Sequence, residues 1–253
     1  MTSNPPSTTT LKSLHIPGQP ILFTNVWDTV SARSIAPLPS CKALATASYA
    51  IAIAANTTDD ALTYEENLRG IREIAKIARE YGKPLTADIQ DGYGDRLEEA
   101  IGALLDLDVA GCNLEDYDNA NGRMYAEDEA AARVQRTMAV ARERGEGDFV
   151  VNARCDSLHH GGDLEEVIRR GKAYLAAGAT AVFVWGGKRG VSEGEVRELV
   201  AAFQGRLSVK LDFEGLTVGQ LAEIGVARVS VGPSMQTRMM KALARDAEAL
   251  LSY

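Results

Sequence analysis

Pro84-Leu85-Thr86-Ala87-Asp88-Ile89-Gln90-Asp91-Gly92-Tyr93-Gly94 is an apolar run that ends in acids and then in two glycines. It reads as a strand that delivers carboxylates to a turn. A second stretch, Gly111-Cys112-Asn113-Leu114-Glu115-Asp116, repeats the arrangement after one helical segment. Two successive strands would thus end in acids on the same rim of a parallel sheet. Acids converging there suit a hard divalent cation, because Mg²⁺ takes oxygen ligands and keeps several waters. Taken singly, each acid is as well explained as a helix cap. The two stretches together, beside Gly92 and Gly94, favour a site.

The same grammar extends in both directions. Upstream, Ile21 to Trp27 and Lys42 to Ser48 are compact apolar runs. An alanine-rich connection through Asp59-Asp60 then leads to a helix opened by a capping box, Thr63 with Glu66, and carried by Leu68, Ile71, Ile74, Ala75 and Ala78. Downstream, helical patterns span Leu97 to Leu107 and Glu127 to Arg144. Further strands are read at Phe149 to Arg154, Ala181 to Trp185, Leu207 to Leu211 and Arg228 to Gly232, each with a helical pattern after it. Eight short apolar strands alternating with helices predict a closed (β/α)₈ TIM-type barrel, since parallel strands covered on both faces are apolar throughout. A doubly wound open sheet is the alternative.

At 253 residues the chain has the length of one such barrel. Residues 1–12, rich in Ser, Thr, Asn and Pro, read as a flexible tail, and 13–253 as the barrel domain. A net charge of −8 opposes a nucleic-acid partner. No stretch approaches the roughly 18 apolar residues of a membrane helix, and the start lacks a signal peptide's basic and apolar regions, so the expected location is cytoplasmic. Cys41, Cys112 and Cys155 are scattered and odd in number, the usage of a reducing compartment.

The active site of a barrel lies past the C-terminal ends of its strands. Residues there are polar and assorted: Trp27 and Asp28, Ser48 and Tyr49, Asp88 and Gln90, Glu115 and Asp116, Arg154 and Asp156, Trp185, Lys210 and Asp212, Pro233 and Ser234. Asp88-x-x-x-Gly92-Tyr93-Gly94 followed by Asn113-Leu114-Glu115-Asp116 resembles the isocitrate lyase and phosphoenolpyruvate mutase superfamily, with its acid-rich D-x-[DE]-x-G-Y-G turn and later E-D pair. Asn25-x-Trp27-Asp28-x-x-Ser31-Ala32 is similar to that family's opening motif, which lines the pocket floor. By the same resemblance Ser48-Tyr49-Ala50 holds the substrate carboxylate; Trp185 and Lys210, from their places at strand ends, are read as substrate-binding too. Asp60 is the acid of the following loop, and Arg154 grips a carboxylate or phosphonate with its planar fork. Asp88 and Glu115 hold Mg²⁺, or Mn²⁺ in its place, with Gln90 acting through a bound water where the family has a second acid. Asp91 next door is expected to compensate in part.

The departures bear on the reaction. Family members that cleave isocitrate carry a K-x-C-G-H loop after the E-D pair; here the loop runs Tyr117-Asp118-Asn119-Ala120-Asn121-Gly122-Arg123. It has no thiol, and the mutase's loop lysine and strand-six histidine are missing as well. The resemblance therefore implies a Mg²⁺-dependent carbon–carbon lyase acting on a small 2-oxo or 2-hydroxy (di)carboxylate through a metal-stabilised enolate. Tyr49, Asp60 and Tyr117 are the candidates for acid–base work. Alternatives are a hydrolase or decarboxylase of an oxaloacetate-like or phosphonopyruvate-like acid, a P–C bond mutase, or an acid-binding pseudoenzyme. His159-His160 reads as surface loop, and Met235, Met239 and Met240 as ordinary helix packing. The family's assembly implies a homo-oligomer, a tetramer built as a dimer of dimers, and the apolar stripe of the last helix suits an exchange between subunits.

Overall fold

The computed structural model describes residues 7–252. The chain opens with α1 (Ser7–Ser13), β1 (Ile21–Phe23), α2 (Thr29–Ile35), β2 (Leu44–Ala45), α3 (Ser48–Ala54) and α4 (Tyr64–Glu80). It continues through β3 (Leu85–Asp88), α5 (Leu97–Asp106), β4 (Gly111–Glu115), a small hairpin of β5 (Tyr117–Asp118) and β6 (Arg123–Met124), α6 (Glu127–Glu143) and β7 (Val150–Cys155). The last stretch holds α7 (Leu164–Ala177), β8 (Ala181–Val184), α8 (Glu193–Phe203), β9 (Leu207–Lys210), α9 (Val218–Ile224), β10 (Arg228–Ser230) and α10 (Ser234–Leu251).

Eight strands pair in parallel in the order β1-β10-β9-β8-β7-β4-β3-β2, and a parallel bridge between Val26 and Thr46 draws the two ends together. The result is the expected (β/α)₈ barrel. Strands β3, β4 and β8 are buried along their whole length; β8 is accordingly apolar throughout, while β3 and β4 carry buried polar residues and end in Asp88 and Glu115. Asn25 helps close the ring: its Nδ2 donates to Thr46 O at 2.8 Å, and its Oδ1 accepts from the N–H groups of Val231 and Gly232. It ties the exit of the first strand to that of the second and the last.

The helices start where the sequence says they should. The Thr63–Glu66 capping box opens α4, and Asp163 caps α7 by accepting from the Glu166 N–H at 2.8 Å, contacts of about 1 kcal/mol each. Three readings change. Residues 7–12, assigned to a tail, belong to α1: Leu11 is buried, Thr8 and Thr9 donate to Glu146 and Asp148, and Lys12 pairs with Asp148. Residues 1–6 of that tail lie outside the described residues. The alanine-rich connection after Ser48 is the helix α3. Finally, Met239 and Met240 do not pack on the barrel; they stand about half exposed on α10, of which Gln236 is the buried residue. Among the described residues no helix is long and apolar enough to cross a membrane, and Cys41, Cys112 and Cys155 are all free thiols.

Candidate active site

The turn after β3 is held by its own backbone. Gln90, Gly92, Tyr93 and Gly94 all have positive φ, and a Cβ at Gly92 would lie 2.5 Å from a methyl of buried Leu97, so glycine is required there. Asp91 is spent on this turn: its carboxylate accepts from the Tyr93 N–H at 3.1 Å and the Tyr125 hydroxyl at 2.9 Å. It therefore does not compensate for Gln90, contrary to expectation. Asp116 also points away from the rim's opening, accepting from the Asp156 N–H at 2.8 Å and the Tyr174 hydroxyl at 2.6 Å.

Parallel pairing sets Asp88 beside Asn113 and Glu115 beside Arg154, so the ends of β3, β4 and β7 meet on one rim. Asp88 Oδ2 accepts from the N–H and hydroxyl of Ser48, at 3.1 and 3.3 Å. Arg154 donates from Nη1 to Glu115 at 2.6 Å and from Nε to Asp156 at 2.7 Å, and its guanidinium lies 4.1 Å from the Trp185 ring centroid. The remaining nitrogen, Nη2, makes no hydrogen bond among the described residues, which leaves one edge of the fork for an anion. A cavity of about 380 Å³ opens over Glu115, Arg154, Asp156 and Trp185, lined also by Gln90, Tyr117 and Asn119, with Asp88 and Ser48 buried outside its lining.

The electrostatics are unbalanced toward acid. Burial pushes the Glu115 carboxyl well above the usual carboxylate range, and the charges of Asp156, Asp88 and Asp59 add to this while Arg154 opposes it. Asp59 is raised to about 6, first by burial and then by Asp88. One guanidinium thus serves several carboxylates, and a bound cation would relieve the excess. Among the described residues no cluster of three His, Cys, Asp or Glu side chains could ligate an ion directly. An ion held by Asp88 and Glu115 would keep several waters, which is the habit of Mg²⁺. Gln90 donates its Nε2 to Asp59 O at 2.7 Å and keeps its side-chain carbonyl for such a water.

Other expected residues sit elsewhere. Asp60 lines the cavity but is exposed; Asp59, in the same 3₁₀ turn, is the acid that faces Ser48 and Asp88. Two neighbouring acids are indistinguishable in sequence, and only the turn's orientation separates them. Asp28 is engaged as the N-cap of α2, accepting from the Ser31 N–H at 2.7 Å, and Trp27 is buried behind it. Tyr49 is 48% exposed and does not line the cavity, and Ala50 is buried with its carbonyl bonded to Gln236. Lys210 is exposed and lines an adjacent cavity of about 350 Å³ that shares Trp185. His159 and His160 stand exposed in a turn, as their surface-loop reading expects, and both also line the cavity. Their place at the cavity's edge was hidden in the sequence, because the tight turn that sets them there has no strong sequence signal.

Comparison with known proteins bears on the family and the fold. A family model described as phosphoenolpyruvate phosphomutase matches residues 11–251. A solved Burkholderia cenocepacia structure assigned as a phosphonomutase is 33% identical, with a TM-score of 0.87, and covers 98% of each chain. An uncharacterized Mycobacterium tuberculosis protein is 29% identical over 94% of this chain and 87% of its own. A Corynebacterium glutamicum protein assigned as 2-methylisocitrate lyase 1 is 32% identical over 46% of this chain and 41% of its own.

Proposed function

Because the chain belongs to the phosphoenolpyruvate phosphomutase family, we propose that it is a Mg²⁺-dependent lyase, cleaving a carbon–carbon bond next to an enolisable carbon in a small 2-oxo or 2-hydroxy (di)carboxylate. The observation that carries the reading is the open edge of Arg154 beside Glu115 in one cavity, with buried Asp88 close enough to raise the Glu115 carboxyl. A carboxylate needs such a fork, and the neighbouring acids need a cation. Asp88, Glu115 and, through water, Gln90 would hold Mg²⁺, which when bound supplies a Lewis acid and a template. Arg154 fixes the substrate carboxylate and, stacked on Trp185, cannot swing away. Ser48 orients Asp88 through two hydrogen bonds and so fixes the rim on which the charge develops. The β5–β6 hairpin, with Asn121 bonded to Asp118, stands over the opening and would exclude water.

The same reading takes the protein as a homotetramer that exchanges α10. The support is local: Leu243, Leu250 and Leu251 are 67%, 75% and 78% exposed on that helix, while Leu22 of β1 stands 42% exposed on the barrel. The activity is tested by mass-spectrometric screening of small oxo- and hydroxy-acids with and without Mg²⁺. Consumption of one acid into two carbonyl-containing products, abolished by chelation and by Asp88→Ala, is the expected result. Consumption that ignores chelation would remove the metal from the mechanism, and no consumption of any acid would leave a binding protein.

A further inference from the structure

The lyase reading needs a residue that moves a proton: the hairpin over the cavity carries no thiol, Tyr49 lies outside the cavity, and of the expected acid–base residues Asp60 and Tyr117 line it. The loop after β7 supplies a candidate. The N–H groups of His159 and His160 both donate to Asp156 O, at 2.9 and 3.1 Å, and Asp156 also holds Arg154 Nε. The backbone of the turn that carries both histidines is thereby tied to the residue that holds the Arg154 guanidinium.

Their rings are seated in order. His160 stacks on Tyr117 with centroids 4.1 Å apart and planes 4° from parallel. His159 lies 4.7 Å from His160 and 4.4 Å from Trp185, which in turn carries the Arg154 guanidinium. A side chain at Gly187 would overlap the His159 ring, so that glycine, with φ at +60°, makes room for it. His159 is thus packed between Trp185 and the Gly187 backbone, whereas His160 uses one face on Tyr117 and keeps its edges. Among the described residues neither imidazole side chain makes a hydrogen bond, although both line the 380 Å³ cavity. His15, by contrast, has its Nδ1 3.0 Å from Leu11 O.

We propose that His160 is the proton-transferring residue of this site, positioned by His159, in place of the family's loop thiol. The assignment rests on the lyase reading. The neutral imidazole takes the proton of a substrate hydroxyl; that O–H electron pair becomes the carbonyl π bond of the departing fragment. The carbon–carbon pair passes into the enolate of the retained fragment, and the imidazolium then returns the proton to the enolate carbon. Protons and electrons balance without an oxidant or a further reactant. The charged and titratable groups around His160 fit a base that is neutral at pH 7. Burial, His159 and Arg154 lower its pKa and Asp156 raises it, while Tyr117 faces it from the hairpin.

The test follows exchange of the C3 protons of pyruvate and 2-oxobutyrate in deuterated buffer by proton NMR, with the full chain and Mg²⁺. This is the return step run backwards and needs no knowledge of the natural substrate. The wild type is expected to exchange one of these acids. His160→Gln is expected to slow that exchange about 100-fold or more, with oxalate affinity changed less than about threefold. Added imidazole is expected to restore exchange to His160→Ala. Exchange in His160→Gln within about threefold of wild type would overturn the assignment and leave the lyase reading standing. A loss that tracks oxalate affinity and is not rescued by imidazole would make His160 a binding residue only. A wild type that binds oxalate yet neither exchanges protons nor consumes any acid in the screen would sink both.

Discussion

Alanine at Gly92 and at Gly94 is a matched pair of perturbations of the turn that aims Asp88 and Gln90. Both glycines have positive φ, +78° and +63°, so both variants incur the left-handed backbone cost of about 1–2 kcal/mol. They differ in surroundings. Nothing lies within 4 Å of a Cβ at Gly94, whereas at Gly92 it would stand 2.5 Å from Leu97 Cδ1 and 3.2 Å from Leu114 Cδ1. Leu97 is 0% exposed and Leu114 3%, so neither methyl can swing into solvent, and overpacking of this kind costs about a further 1–3 kcal/mol. Urea denaturation followed by circular dichroism should therefore place Gly92→Ala about 1–3 kcal/mol below Gly94→Ala. Gly92→Ala should also weaken Mg²⁺ binding, because relief of the clash moves the turn. Equal destabilisation of the two variants would refute the packing argument, and unchanged metal affinity in a destabilised Gly92→Ala would refute the link from turn to rim.

Other outcomes follow from particular contacts. Burial and Arg228 depress the His15 imidazole to about 3, so the folded protein keeps it neutral while the unfolded chain protonates it near pH 6.5. Its contribution is present above pH 6.5 and is lost as pH falls toward 3; at pH 5 the loss is ~2 kcal/mol. His15→Gln should flatten the fall in urea stability between pH 7 and 5, and an unchanged fall would refute the assignment. The Tyr117–Tyr125 loop, held by Asn121 on Asp118 and by Tyr117 on His160, should become more resistant to protease when oxalate and Mg²⁺ are added. Equal cleavage with and without the ligand would count against a lid. Light scattering should give about four times the 27.1 kDa chain mass, and deletion after Pro233 should destroy assembly; a stable monomer would overturn the exchange of α10.

The barrel was legible because each strand is a short apolar run delimited by polar or turn residues, and burial on both faces of a parallel sheet allows little else. Asp88, Glu115 and Arg154 were legible for the same reason, since each sits at or near a strand end whose direction is fixed by the sheet. What the sequence hid lies in the connections. The Asp59–Ala61 turn decides which of two acids faces Ser48, and a turn of three residues carries no periodicity. The place of His159 and His160 at the cavity's edge depends on two backbone bonds to Asp156 and on the space left by Gly187, distant in sequence. Composition misread α1, whose threonine hydroxyls bond to Glu146 and Asp148 across the bottom of the barrel.

The proposed function requires that Asp88, Glu115 and Arg154 act on one ligand. Isothermal titration of oxalate in the presence of Mg²⁺ measures that directly. The wild type should bind with one site per chain and only with the metal. Asp88→Ala should lose both metal and oxalate, and Arg154→Lys should keep the metal while weakening oxalate about tenfold or more through the missing fork. Oxalate binding that is equal in all three proteins, or that persists without Mg²⁺, would contradict it.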